Sequence, residues 1–243
     1  MSWSRDLPTP ARALAIAAHP DDIEFNASAT LAKWSAAGCE VSHLVLTDGS
    51  KGTWDPDEDI TALVATREQE QRDAAKAIGA TGQVVMFREV DGELTSGVEP
   101  RERLARWIRE LRPDVVLGHD PWKRYRLHPD HRHAGWLTID AIVAARDPFF
   151  FPDHDVPHHR PDALLLFEAD EPDHIENVSG FEEAKVAALL AHRSQYVTTM
   201  EIAPDDTGEQ REAFRKKILG RMREVGEPVG VEFAEAFKAI RPL

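Results

Sequence analysis

Two clusters hold the residues of this chain that could do chemistry. The first, Ala18-His19-Pro20-Asp21-Asp22-Ile23-Glu24, follows immediately on the apolar run 13–17; the second is His128-Pro129-Asp130-His131. His19 and Asp22 are three apart on what reads as a strand-to-helix turn, so both side chains can converge on one point. Asp22 opens the helix, where the dipole and free N–H groups favour a carboxylate. Asp21 then projects beside that point. In the second cluster Pro129 suits the first helical position, which puts His128 before a helix and His131 in its first turn. One of these two can bind a metal while the other faces a substrate. His19, Asp22 and one of the two give two nitrogens, one carboxylate oxygen and an open position, the composition of a catalytic zinc site. Such an ion acidifies water and polarises a carbonyl. A free carboxylate beside it is a natural general base, and Asp21 is the candidate. The reaction class is metal-assisted hydrolysis of an amide or ester.

These residues need a scaffold, and the hydrophobic pattern supplies one. Apolar runs at 13–17, 41–47, 84–87, 115–118 and 163–167 read as strands, several nearly continuous as in strands covered on both faces. Helical patterns lie between them at 23–37, 60–78, 100–111 and 129–145. Gly38 and Gly79 close the first two helices, and Pro113 stops the third. The alternation predicts an α/β fold of Rossmann-like type, a mostly parallel sheet with helices on both faces, in a single domain over 1–243. Segments 181–192 and 209–223 read as helices packed on that sheet, with no strand paired to them. Segment 147–162, rich in Pro, His and Phe, reads as a long loop. Open α/β sheets bind ligands outside the carboxyl ends of their strands, which is where both clusters fall.

The net charge of −14 repels phosphate backbones and anionic lipids and argues against a nucleic-acid partner. No run approaches the roughly 20 apolar residues of a membrane span, and the polar start, 1–12, lacks the apolar core of a signal peptide. The one cysteine, Cys39, excludes an internal disulfide and reads as a small buried residue. The expectation is a cytoplasmic protein without a membrane partner; a homo-oligomer is left open. Gly49 and Gly52 fit neither the dinucleotide fingerprint nor the P-loop and read as a tight loop beside the site. Trp54, Trp122 and 149–151 suit sugar stacking and ordinary packing equally. His119-Asp120, directly after a strand, is either support for a ligand His or a polar strand end. His154, His158 and His159 read as solvated. So does the helix face 66–72, with Arg67 the exception.

The two His-Pro-Asp clusters together resemble the LmbE-like (PIG-L) zinc-dependent N-deacetylases. Thr47-Asp48-Gly49-Ser50-Lys51-Gly52 resembles that family's glycine-containing loop, Thr66-Arg67-Glu68-Gln69-Glu70 its Arg-Glu motif, and Lys185 with His192-Arg193-Ser194-Gln195 its late motif. The resemblance runs from about residue 13 to about residue 197. It implies that His19, Asp22 and His131 ligate Zn2+, and Fe2+ or another divalent ion would suit the same donors. It implies that Asp21 is the general base, that His128 stabilises the oxyanion or acts as general acid, and that Asp130 tunes His128 or its neighbour. Arg67 would help bind substrate. Some members carry a mobile Tyr two residues before the first His of the second cluster; Arg126 stands there, beside Tyr125, and takes a substrate-binding role. The implied substrate is a small amino-sugar conjugate carrying an N-acetyl group, or a related sugar-thiol amide. Two other classes remain: a non-haem Fe(II) oxygenase, which shares the two-His-one-carboxylate set, and a non-catalytic sugar-binding protein.

Overall fold

The computed structural model describes residues 3–243. The strands are β1 (Ser4–Arg5), β2 (Arg12–Ala17), β3 (Glu40–Thr47), β4 (Val84–Glu89), β5 (Val115–His119), β6 (Ala163–Phe167), β7 (His174–Asn177) and β8 (Ala234–Ile240). The helices are α1 (Asp22–Ala36), α2 (Ile60–Ala77), α3 (Val98–Leu111), α4 (Pro129–Arg146), α5 (Glu182–Ala191) and α6 (Glu209–Gly226). One eight-stranded sheet runs β1-β7-β8-β6-β5-β2-β3-β4. β2 pairs in parallel with both β3 and β5, and β5 with β6. β8 is antiparallel to its neighbours β6 and β7.

The alternation of β2 sorts the core into two layers. Ala13, Ala15 and Ala17 pack with Ile23, Leu31 and Trp34 of α1, Ala74 of α2 and Ala188 of α5. Leu14 and Ile16 face the other way, onto Leu104 and Ile108 of α3 and Leu137 and Ala141 of α4. Both faces are therefore covered, as the apolar strand runs imply. Gly38 and Gly79 follow α1 and α2 with φ of 93° and 74°, the left-handed geometry that ends a helix. Segment 147–162 carries no helix or strand. Arg109 of α3 holds its first half, donating to the carbonyls of Ala144, Asp147 and Phe150 at 2.8–3.0 Å.

One expectation is corrected. The C-terminal helices do accompany strands: β7 and β8 were missed, and they extend the sheet beyond β6. Their sequences, His-Ile-Glu-Asn and Ala-Glu-Ala-Phe-Lys-Ala-Ile, are too polar or too mixed to stand out. Distant partners make that polarity tolerable. Glu235 accepts from Thr30 N at 2.8 Å and pairs with the buried Lys185 at 2.5 Å. Glu176 pairs with Lys33 of α1.

Chain order reverses between β2 and β5, since β3 and β4 lie on one side of β2 and β5 and β6 on the other. This is the topological switch point, where an open α/β sheet leaves a crevice at its carboxyl edge. Both His-Pro-Asp turns border it.

Candidate metal centre and active site

The turn leaving β2 has its backbone polar groups satisfied largely by distant partners. Ala18 O accepts from Thr47 N and Thr47 Oγ1, both at 2.8 Å. His19 N donates to Asp22 Oδ2 at 2.8 Å. Pro20 O accepts from Arg67 Nη2 at 2.8 Å, and Asp21 N donates to Gln71 Oε1 at 3.2 Å. Asp21 precedes α1 with φ 94°, a left-handed conformation that costs a non-glycine residue about 1–3 kcal/mol. In the second turn His128 caps α4 from extended backbone, its Nδ1 accepting from Asp130 N at 3.3 Å.

The two turns bring donor atoms of three residues together. His19 Nδ1 lies 3.3 Å from Asp22 Oδ2, His131 Nε2 lies 3.3 Å from Asp22 Oδ1, and the two ring nitrogens are 3.2 Å apart. Donors about 2.0–2.1 Å from a tetrahedral Zn2+ stand about 3.3 Å from one another. Two ring nitrogens and a carboxylate converging on one point are also the donor types such an ion takes. These residues fit a divalent ion. The remaining side opens to a cavity of about 470 Å³ lined by His19, Asp21, Asp22, His128, His131 and Asp91, among others.

Carboxylates surround these donors. His19 Nε2 lies 3.2 Å from both Asp130 Oδ2 and Asp91 Oδ1, so its far nitrogen has carboxylate partners while the near one faces the common point. Asp130, fully buried, accepts from Gly92 N at 2.6 Å and from Leu94 N at 3.3 Å. The resemblance set Asp130 on His128 or its neighbour; in the structure its carboxylate reaches across to His19. On the other side Glu168 Oε2 accepts from Arg126 Nη1 at 2.6 Å and lies 3.3 Å from His119 Nδ1. His119 Nε2 is in turn 3.3 Å from Asp22 Oδ2, which favours the supporting reading of His119 over a bare strand end. Three overlapping groups of the described residues are each close enough to share an ion: His19, His128 and His131; Asp22, His119 and His131; and His19, Asp91 and Asp130.

The charge states of the two aspartates diverge. Burial is the largest influence on Asp21 and lifts its carboxyl to about 6, against the opposing pull of the Arg67 guanidinium. Burial also disfavours ionised Asp22, yet the charges of His131 and His119 outweigh it and hold that carboxyl well below the usual range. His128 is held below the ordinary histidine value, first by desolvation and then by the charges of His19 and His131. Its ring stands against those of His19 and His131, with centroids 4.6 and 4.9 Å away.

Both arginines assigned to substrate are deeply buried. Arg67, 3 % exposed, donates from Nη1 to Gly49 O and from Nη2 to Pro20 O, both at 2.8 Å. Arg126 is turned onto Glu168 and is not among the residues lining the cavity. Its neighbours Tyr125 and Leu127 are 93 % and 89 % exposed. The helix face 66–72 is not solvated as expected: Glu68, Glu70 and Gln71 are buried with Arg67. Sequence reasoning missed Asp91, Glu168, Gln71 and Glu24. Asp91 and Glu168 had a readable signal, since each is an acidic residue just past the carboxyl end of a strand, the edge where ligands bind. Cys39 is buried, and burial pushes its thiol up to about 11. Among the described residues His154, His158 and His159 join no metal-binding group, and no helix is long and apolar enough to cross a membrane.

Known proteins resemble this chain in sequence and in fold. The chain is 31% identical over 232 residues to a diacetylchitobiose deacetylase of Thermococcus kodakarensis, covering 94% of this chain and 83% of that one. It is 35% identical over 170 residues to a 1D-myo-inositol 2-acetamido-2-deoxy-alpha-D-glucopyranoside deacetylase of Streptomyces scabiei, covering 58% and 51%. The crystal structure of N,N'-diacetylchitobiose deacetylase from Pyrococcus horikoshii superposes with a TM-score of 0.84 at 30% identity, over 96% of this chain and 85% of that one. Residues 14–142, which carry both His-Pro-Asp turns, match the family described as PIG-L, GlcNAc-PI de-N-acetylase, and this chain belongs to that family.

Proposed function

We propose that this chain is a zinc-dependent hydrolase that removes the N-acetyl group from an N-acetylglucosamine-containing conjugate, releasing a free amine and acetate. The observation that carries the reading is the convergence of His19, Asp22 and His131 on one point, with Asp21 lining the same cavity. A divalent ion held by those three supplies Lewis acidity toward water and the acetyl carbonyl. Asp21, not needed as a donor, accepts the proton of the attacking water. His128 offsets the negative charge that gathers on the carbonyl oxygen. A proton is then delivered to the departing nitrogen, so the amine leaves neutral. Asp130 and Asp91 orient His19, while Glu168 orients His119 and Arg126. We propose one catalytic domain over 1–243, because a single sheet incorporates strands from both ends of the described chain. The lone buried cysteine fits a reducing compartment, and the proposal places the enzyme in the cytoplasm, acting on a small molecule.

The test strips the protein with a chelator and reloads it separately with Zn2+ and Fe2+. Each form is then offered N-acetylglucosamine, N,N'-diacetylchitobiose and N-acetylglucosaminyl-inositol. Zinc should restore release of one acetate per new amine on at least one of them. Amine release by no metal-loaded form would overturn the reading. Oxygen uptake by the iron form would favour the oxygenase that the same donor set permits.

A further inference from the structure

We infer that a cavity of about 330 Å³ beside Trp122 is a second sugar subsite, which takes one pyranose ring of an oligosaccharide while another ring is held at the metal centre. The cavity is separate from the metal site; that its ligand is a glycan with an N-acetyl group elsewhere rests on the reading of that site as a deacetylase.

The same two strand ends serve both places. β5 ends at His119, whose Nε2 lies 3.3 Å from Asp22 Oδ2, and the next residue, Asp120, already lines the Trp122 cavity. Just past β6, Glu168 accepts from Arg126, and two residues on Asp170 lines the cavity. Lys238 and Ile240 add to the lining from β8, the strand antiparallel to β6. The cavity therefore begins one or two residues beyond the groups that support the metal donors. Ligands of open α/β sheets gather at this carboxyl edge.

The lining suits a neutral ring rich in hydroxyls. Trp122 is 54 % exposed, yet it is held in place. Its backbone N–H donates to Asp120 Oδ1 at 2.9 Å, and Trp136 of α4 stands against its ring at 5.2 Å between centroids and 76° between planes. An aromatic ring already ordered loses little freedom when a ligand stacks on it. The C–H bonds on one face of a pyranose meet the negative face of such a ring, and its hydroxyls both donate and accept. Asp120 is deeply buried, and that N–H engages one of its two oxygens. The other charges are paired: Arg124 Nε lies 3.4 Å from Asp170 Oδ2, and Lys238 Nζ 2.6 Å from Asp173 Oδ2. Paired charges of both signs favour a neutral polyol over a phosphate or a free cation. Trp122 suits stacking and packing equally by sequence; a fixed, half-exposed ring on a cavity favours stacking.

The test titrates the metal-free, nitrogen-15-labelled chain with N,N',N''-triacetylchitotriose and follows the Trp122 indole N–H signal, assigned by its loss in Trp122→Phe. Zinc-loaded wild type, Trp122→Ala and Trp122→Phe are then compared on the trisaccharide and on N-acetylglucosamine. The Trp122 signal should shift and saturate with sugar. Trp122→Ala should raise KM for the trisaccharide about 3- to 10-fold, the worth of one aromatic contact, with kcat within about twofold. It should leave KM for the monosaccharide unchanged, because only a ligand spanning both places gains from the second. Trp122→Phe, which keeps an aromatic face, should recover most of the loss. A Trp122 signal unmoved by saturating trisaccharide would overturn the inference, as would equal KM changes on both substrates. So would a signal that moves with protein concentration in the absence of sugar, which would make a second copy of the chain the occupant. Absence of amine release from any zinc-loaded form would instead strike the deacetylase reading, and the indole titration would still decide whether the cavity binds sugar.

Discussion

The two turns His19-Pro20-Asp21-Asp22 and His128-Pro129-Asp130-His131 share three residue types in order, yet they enter their helices two residues out of step. α1 begins at the fourth residue, Asp22, whereas α4 begins at the second, Pro129. The third residue is therefore used in opposite ways. Asp21 lies outside its helix, in left-handed backbone, and lines the cavity. Asp130 lies inside the first turn of α4, fully buried on the N–H groups of Gly92 and Leu94. The fourth residues, Asp22 and His131, converge in both cases. Position relative to the helix start, more than the His-Pro-Asp composition, decides which aspartate meets a substrate.

The comparison can be broken in order of expected effect. Replacing a fourth-position residue should cost most: His131→Ala leaves two donors, so metal content should fall well below one per chain and turnover to background, measured by elemental analysis and amine release. His128→Ala should keep the metal and lower kcat about 100- to 1,000-fold, the usual loss when one oxyanion-stabilising group is removed; loss of the metal would make His128 a ligand. Asp130→Asn should cost least. It keeps the shape and weakens the support of His19, so metal affinity or activity should drop about 10- to 100-fold, read by competition with a chelating dye. Were Asp130→Asn to abolish turnover with metal affinity intact, the two turns would be functionally alike and the distinction between their aspartates would fail.

The parallel half of the sheet and the two turns that meet at the candidate site were legible in the sequence because local pattern specifies both, while the choice of His131 over His128 came from the family resemblance. β2, β3, β5 and β6 are short apolar runs, and His19, Asp22 and His131 sit beside helix starts that the sequence marks. What stayed hidden depends on partners far along the chain. β7 and β8 carry Glu176 and Glu235, which read as surface residues until Lys33 and Lys185 are seen beside them. The hold of Arg67 on the carbonyls of Pro20 and Gly49 was hidden because they are 47 and 18 residues away. The direction of Asp130 was hidden likewise, since its partner His19 is 111 residues off.

The central claim is the division of labour between adjacent aspartates, Asp22 holding the metal and Asp21 moving the proton. It is tested most directly by zinc stoichiometry and kcat measured side by side on Asp21→Asn and Asp22→Asn. The account predicts that Asp21→Asn retains one zinc per chain while kcat falls about 100- to 10,000-fold, the span of general-base catalysis, and that Asp22→Asn loses metal and turnover together. An Asp21→Asn protein without zinc, beside an Asp22→Asn protein that keeps it, would contradict the account and reverse the two roles.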